Sequence, residues 1–177
     1  MKQLARIFSA LVLLAFLAMG VALITLRPPI TPILPPLVGQ IDRIMVEKSA
    51  RRMTLLQDGK PVRLYQISLG FSPAGDKSHQ GDGRTPEGIY RINRLNKGSA
   101  YHLSLGLDYP QPADIAAAKA GGFDPGGDIM IHGQPNALPD AAVIKGDWTA
   151  GCIAVSNTEI REIFAATPLG TEVEVRP

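Results

Sequence analysis

The stretch Asp147-Trp148-Thr149-Ala150-Gly151-Cys152-Ile153-Ala154-Val155-Ser156-Asn157 holds the one cysteine of a 177-residue chain. Ser156 stands three residues before Glu159, the spacing of a capping box, so a helix opens at Ser156 or Asn157 and runs to about Ala166. Ile160, Ile163 and Phe164 share one face of it. A single thiol cannot close a disulfide within its own chain, which is the usual reason for a cysteine outside the reducing cytosol. Cys152 is then a reactive thiol, half of a bridge to a partner, or a small buried hydrophobe.

The N-terminus argues for export. Lys2 and Arg6 precede an uncharged apolar run over residues 7–26, which are 20 residues and therefore about 30 Å of helix, one hydrocarbon core. Gly20-Val21-Ala22 offers a small-x-small cleavage site, but the apolar run continues through Leu26 and favours an uncleaved anchor. The positive residues before it direct the C-terminal remainder of the chain to the outer side of the membrane. Pro28, Pro29, Pro32, Pro35 and Pro36 then make residues 28–39 a stiff spacer. The organisation expected is an anchor or signal over 1–27, the linker over 28–39, and one domain over 40–177.

Formal charge is +2, and setting aside Lys2, Arg6 and Arg27 leaves −1 for the exported part. No basic run interleaved with aromatics is present, which excludes a nucleic-acid surface. The domain reads as mainly β with two short helices. Residues 41–47, 53–57 and 62–69 form a meander whose second hairpin turns at Asp58-Gly59. Residues 89–95, 101–107, 128–131 and 172–175 are further strands, with His102 opening one of them. Residues 112–120 form the first helix, with proline at its start and Gly121-Gly122 at its stop.

A cysteine nucleophile must lose its proton, and an imidazole within reach is the common means. Of three histidines, His132 ends the apolar run Asp128-Ile129-Met130-Ile131, where a strand gives way to a loop. Taken alone it has a structural reading at a sheet margin. Together with Cys152, twenty residues on across a Gly, Pro and Asp-rich loop, it suggests two strand ends over one cleft. His79, His102, His132 and Cys152 include no short ligand pair, so neither a metal nor another cofactor is expected.

Ile131-His132-Gly133 followed by Thr149-Ala150-Gly151-Cys152-Ile153 and Asn157 resembles the L,D-transpeptidase catalytic, or YkuD, domain family. Thr85-Pro86-Glu87-Gly88-Ile89-Tyr90 is similar to that family's Thr-Pro-x-Gly-aromatic element. Ala150 replaces a histidine and Ala154 an arginine of many members, a variant that looks like the YafK-like subgroup. The resemblance implies a β-sandwich and cysteine acyl transfer on peptidoglycan stem peptides in the bacterial periplasm or on the outer face of the cytoplasmic membrane. Cys152 would be the nucleophile, His132 the base, the Gly133 carbonyl its orienter and the Gly151 N–H an oxyanion donor. Thr149, Trp148, Arg84 and Asn157 are the substrate-side candidates, Arg84 for a carboxylate. Thr149 could equally cap a turn, Trp148 anchor the loop, and Arg84 make a loop ion pair. The outcome could be cross-linking, attachment or release of a wall-bound lipoprotein, or hydrolysis; an inactive wall-binding module is the remaining alternative.

Overall fold

Asp58 and Gly59 both adopt positive φ, 51° and 70°, the geometry of a two-residue hairpin turn, and they join two antiparallel strands, Arg52–Gln57 and Lys60–Gln66. The computed structural model describes residues 35–177. The anchor expected over residues 7–26 and most of the expected proline linker lie outside the described residues. Among those described, no helix is long and apolar enough to cross a membrane.

Among the described residues, eight strands and two helices follow in the order β1 (Arg43–Glu47), β2 (Arg52–Gln57), β3 (Lys60–Gln66), β4 (Gly88–Asn96), β5 (Ser104–Leu107), α1 (Pro112–Ala120), β6 (Met130–His132), β7 (Ile153–Ala154), α2 (Asn157–Ala166) and β8 (Glu172–Arg176). The expected meander is present as β1, β2 and β3. Instead of a sandwich of two separate sheets, the strands form one sheet in the order β3-β2-β1-β8-β4-β5-β6-β7. β4 is the reason. Its first half pairs with β8 and its second half with β5, with a register irregularity between Ile92 and Arg94, so one long strand serves both halves and the sheet curls around the core.

α2 seals that core with Ile160 and Ile163, both wholly buried, and Phe164 packs at its margin. Its capping box forms: Ser156 Oγ accepts from Glu159 N–H at 3.2 Å and Glu159 Oε2 accepts from Ser156 N–H at 2.8 Å. α1 starts at its proline, and Asp114 accepts from the Gln111 N–H at 2.7 Å. The compact unit comprises Leu37–Pro177, and Leu37 packs against the core.

Three strand boundaries differ from expectation, each because a loop contact outcompetes the ladder. The segment after Gln66 leaves β3, and Ser68 exchanges backbone hydrogen bonds with Ala154 at 2.8 and 2.9 Å. His102 lies in a turn at φ 68°, its N–H held by Asn136 Oδ1, so β5 begins only at Ser104. Asp128 turns at φ 55°, and β6 runs Met130–His132.

Candidate active site

β6 and β7 are parallel, with Ile131 opposite Ile153 and His132 opposite Ala154. Side chains alternate faces along a strand. Ile131 and Ile153, both wholly buried, therefore point into the core, and Met130, His132 and Cys152 share the other face. Truncating either isoleucine to alanine would cost about 2–5 kcal/mol and loosen the pairing that sets this register. Cys152 directly precedes β7 and stands diagonal to His132 across the parallel pair. Both line one cleft of about 490 Å³, together with Asn96, Tyr101, Ser104, Asp128 and Trp148.

His132 is 4% exposed. Its Nδ1 lies 2.7 Å from the Gly133 carbonyl oxygen. A carbonyl only accepts, so Nδ1 carries the hydrogen and Nε2 keeps its lone pair. Burial pushes the imidazole below its usual range, and the Gly133 bond partly offsets this. The Tyr101 ring centroid is 4.6 Å from that of His132, and the Trp148 ring meets His132 edge-on at 5.7 Å. Gly133 has no room for a side chain: a Cβ there would stand 2.6 Å from Asn157 Oδ1.

Cys152 is half-buried and unpaired. Its Sγ donates to the Asp128 carbonyl at 3.4 Å. Desolvation raises the thiol above its usual range; the Met130 N–H lowers it, Asp128 raises it, and the Lys77 ammonium lowers it. Both shifts favour uncharged forms, so thiol and imidazole rest as a neutral pair. No hydrogen bond joins Cys152 to His132 among the described residues, which apo catalytic pairs commonly lack until substrate arrives.

The remaining candidates separate. Thr149 lines the cleft and is buried: its Oγ1 donates to the Cys152 carbonyl at 2.7 Å and accepts the Gly151 N–H at 3.2 Å. Gly151, at φ 136°, packs where a Cβ would fall 2.7 Å from the Arg84 carbonyl oxygen. Its N–H is already engaged by Thr149, whereas the Cys152 N–H is taken by no side chain or loop carbonyl among the described residues. Arg84 does not line the cleft; its Nη1 donates to the Asp76 carbonyl at 3.1 Å. Asn157 is buried at the start of α2, where Oδ1 accepts the Gln134 N–H and Nδ2 donates to Asp140, so it braces the loop after His132. Trp148 does wall the cleft.

Asp128, Met130, Ser104 and Tyr101 were not singled out from sequence. Period-two alternation from His132 would have found Met130. Ser104 faces His132 only through the β5–β6 register, which no local pattern reports. Among the described residues no group of three or more His, Cys, Asp or Glu side chains is arranged to hold a metal ion.

Residues 41–175 match the YkuD family model, described as the L,D-transpeptidase catalytic domain. YafK of Escherichia coli (strain K12), named as a candidate L,D-transpeptidase, is 29% identical over 134 residues, covering 72% of this chain and 48% of that protein. YqjB of Bacillus subtilis (strain 168), named in the same way, is 27% identical over 149 residues, covering 81% and 78%. The crystal structure of Pgp2, a helical cell shape determining protein from Campylobacter jejuni, superposes with a TM-score of 0.58 at 27% identity, covering 78% of this chain and 48% of that one. The chain thus spans about half the length of YafK and of Pgp2.

Proposed function

Because the chain belongs to the YkuD family of L,D-transpeptidase catalytic domains, we propose that it is a cysteine acyltransferase acting on peptidoglycan stem peptides, with Cys152 as nucleophile and His132 as base. The observation that carries this reading is the shared face: Cys152 and His132 line one cleft, and the Gly133 carbonyl leaves Nε2 of the imidazole free to take a proton.

In the proposed reaction Cys152 Sγ attacks the carbonyl of the L-centre of the third stem residue, while the thiol proton passes to His132 Nε2 directly or through one water. The Cys152 N–H stabilises the tetrahedral oxygen, a kind of contact whose loss costs about 3–4 kcal/mol in a protease precedent. Collapse expels D-alanine, which takes the proton from His132, and leaves a thioester. An amine or a water, deprotonated by His132, then attacks that thioester and frees the thiol. Starting from a neutral pair, the thiol gives its proton to His132 as Sγ attacks, with no thiolate formed beforehand.

Hydrolysis is the second reading, supported by Ala150: it is exposed on the cleft and offers no side-chain group to hold an incoming amine. The reading carries with it a location in the bacterial periplasm or on the outer face of the cytoplasmic membrane, with residues 7–26 as the anchor. A wall-attached lipoprotein is a further candidate partner, and Pgp2's part in cell shape is a phenotype to look for.

Incubating the full chain with tetrapeptide muropeptides and reading the products by mass spectrometry separates the outcomes. Free D-alanine with new cross-links supports transfer. D-Alanine with tripeptides alone supports hydrolysis. No D-alanine and no thioester adduct on Cys152 leaves the inactive wall-binding module.

A further inference from the structure

The cleft-facing side of the sheet is organised in two cross-strand rows. Asn96, Ser104 and His132 pair directly across β4, β5 and β6, and Arg94, Gly106 and Met130 form the adjacent row, which Cys152 continues. Gly106 leaves that second row open. A Cβ built on it would stand 3.3 Å from Arg94 Cβ and 3.4 Å from Arg94 Nε, so the arginine lies across the glycine and extends toward β6. Its Nη2 donates to Asp128 Oδ1 at 2.9 Å and lies 3.9 Å from Met130 Sδ. Asp128 and Met130 both line the cleft, and the Asp128 carbonyl is the acceptor of the Cys152 thiol. The Arg94 side chain is 51% exposed, which leaves its remaining N–H groups reachable from solvent. A carboxylate, that of Asp128, is already docked on it, and the exposure of that aspartate, 80%, makes it a readily exchanged partner.

We propose that Arg94 is the carboxylate-recognition residue of this cleft, its guanidinium binding a free carboxylate of the stem peptide next to the bond that Cys152 attacks. A fork of N–H donors suits a carboxylate in two-point contact. Two carboxylates lie within one residue of the scissile carbonyl in the proposed substrate: the C-terminal one of the leaving D-alanine and the side-chain one of an acidic diamino acid at position three. Binding the former restricts the enzyme to trimming a terminal residue; binding the latter selects the donor residue. Arg84, by contrast, is held by the Asp76 carbonyl away from the cleft. The inference rests on the acyl-transfer reading.

The test compares the full chain, its Arg94→Gln variant and its Arg94→Lys variant on three tetrapeptide stems: the acid, the C-terminal amide and the side-chain amide. For the acid, Arg94→Gln should raise KM about 10- to 100-fold with kcat within about twofold, a loss matched to one charge-assisted hydrogen-bonded contact. Arg94→Lys should recover part of it. The amide whose KM is already high in the parent and does not change in Arg94→Gln identifies the carboxylate bound. Equal factors on all three stems, or none, overturn the proposal. If the parent releases no D-alanine, the acyl-transfer reading fails by itself. Calorimetric titration of the Cys152→Ala chain, with and without Arg94→Gln, then decides: an acid-over-amide preference that vanishes with Arg94→Gln upholds the site, and equal binding of acid and amide overturns it.

Discussion

The loop that carries Lys77 and Asp82 satisfies its buried polar groups, whereas the cleft around Cys152 and His132 leaves some of its own unmet. Lys77 and Asp82 have side chains only 3% and 4% exposed and pair at 2.8 Å. Lys77 also donates to the His79 carbonyl, and Asp82 accepts the N–H groups of Ser78, His79 and Arg84. Lys48 likewise reaches three acceptors, the carbonyls of Gly75 and Thr85 and the Glu87 carboxylate. In the cleft, Ser104 Oγ and Trp148 Nε1 are buried with no hydrogen-bond partner among the described residues, and Cys152 has one long contact. Buried polar groups are mostly satisfied in a folded chain, and besides Arg43 Nε and Glu174 Oε2 on β1 and β8 the unmet ones among the described residues lie in the cleft beside the thiol.

The contrast breaks first at Cys152. Cys152→Ala should reduce D-alanine release by about three orders of magnitude or more and abolish any thioester mass adduct, while the thermal midpoint moves little. Retained release would mean that another group does the chemistry.

Next comes Lys77→Met, which leaves Asp82 charged and buried. It should cost about 3–5 kcal/mol in urea unfolding, and a second change, Asp82→Leu, should restore much of it. The pair also sets an acid limit. Desolvation would raise the Asp82 pKa, but Lys77 and the three backbone N–H donors hold it well below the usual carboxylate range. A depressed carboxyl pKa contributes stability that is present above its unfolded value, about 3.9, and is lost as pH falls toward the folded value. Acid unfolding followed by circular dichroism should therefore steepen below about pH 4 in the parent and not in the Lys77→Met, Asp82→Leu chain.

A smaller effect sharpens the resting state of the site. With the thiol raised and the imidazole lowered, the alkylation rate of Cys152 by iodoacetamide should climb only above about pH 8.5. A plateau already reached near neutrality would reveal a preformed thiolate–imidazolium pair instead. Smallest is Ser104→Ala. The hydroxyl has no hydrogen bond to lose, so stability should stay within about 1 kcal/mol of the parent or rise slightly. A larger loss in urea unfolding would show that the group is satisfied after all.

Much of the scaffold was legible from local pattern. The Asp58-Gly59 hairpin, the capping box at Ser156 and Glu159 and the proline start of the first helix depend on residues a few positions apart, and each forms. The strand around Ile131 was legible as a buried run, but its neighbours were not: β7 is two residues long, too short for any periodicity. The sheet's closure was equally hidden. β4 looks like one strand of nine residues, and nothing within it says that its two halves pair with different neighbours. In the site, the pair Cys152 and His132 stands out by residue type and flanking glycines. The partners of Thr149, Asn157 and Arg84 were not legible: their side chains bond to the Cys152 carbonyl, the Gln134 N–H and the Asp76 carbonyl.

The stretch from Asp147 to Asn157, by its own chemistry, determined that the chain carries one free thiol beside a glycine, a helix capped just after it, and a histidine twenty residues earlier able to serve it. Tertiary structure alone decided which face the thiol shares, that Arg94 pairs with the cleft residue Asp128, that Gly151 gives its N–H to Thr149, and that burial pushes both reactive groups toward their uncharged forms. The physical reason is that caps and turns are settled by atoms a few residues apart. Register across strands and desolvation at a site are set by chain segments dozens of residues away, and shifting one strand by a single residue would turn Cys152 from the cleft into the core.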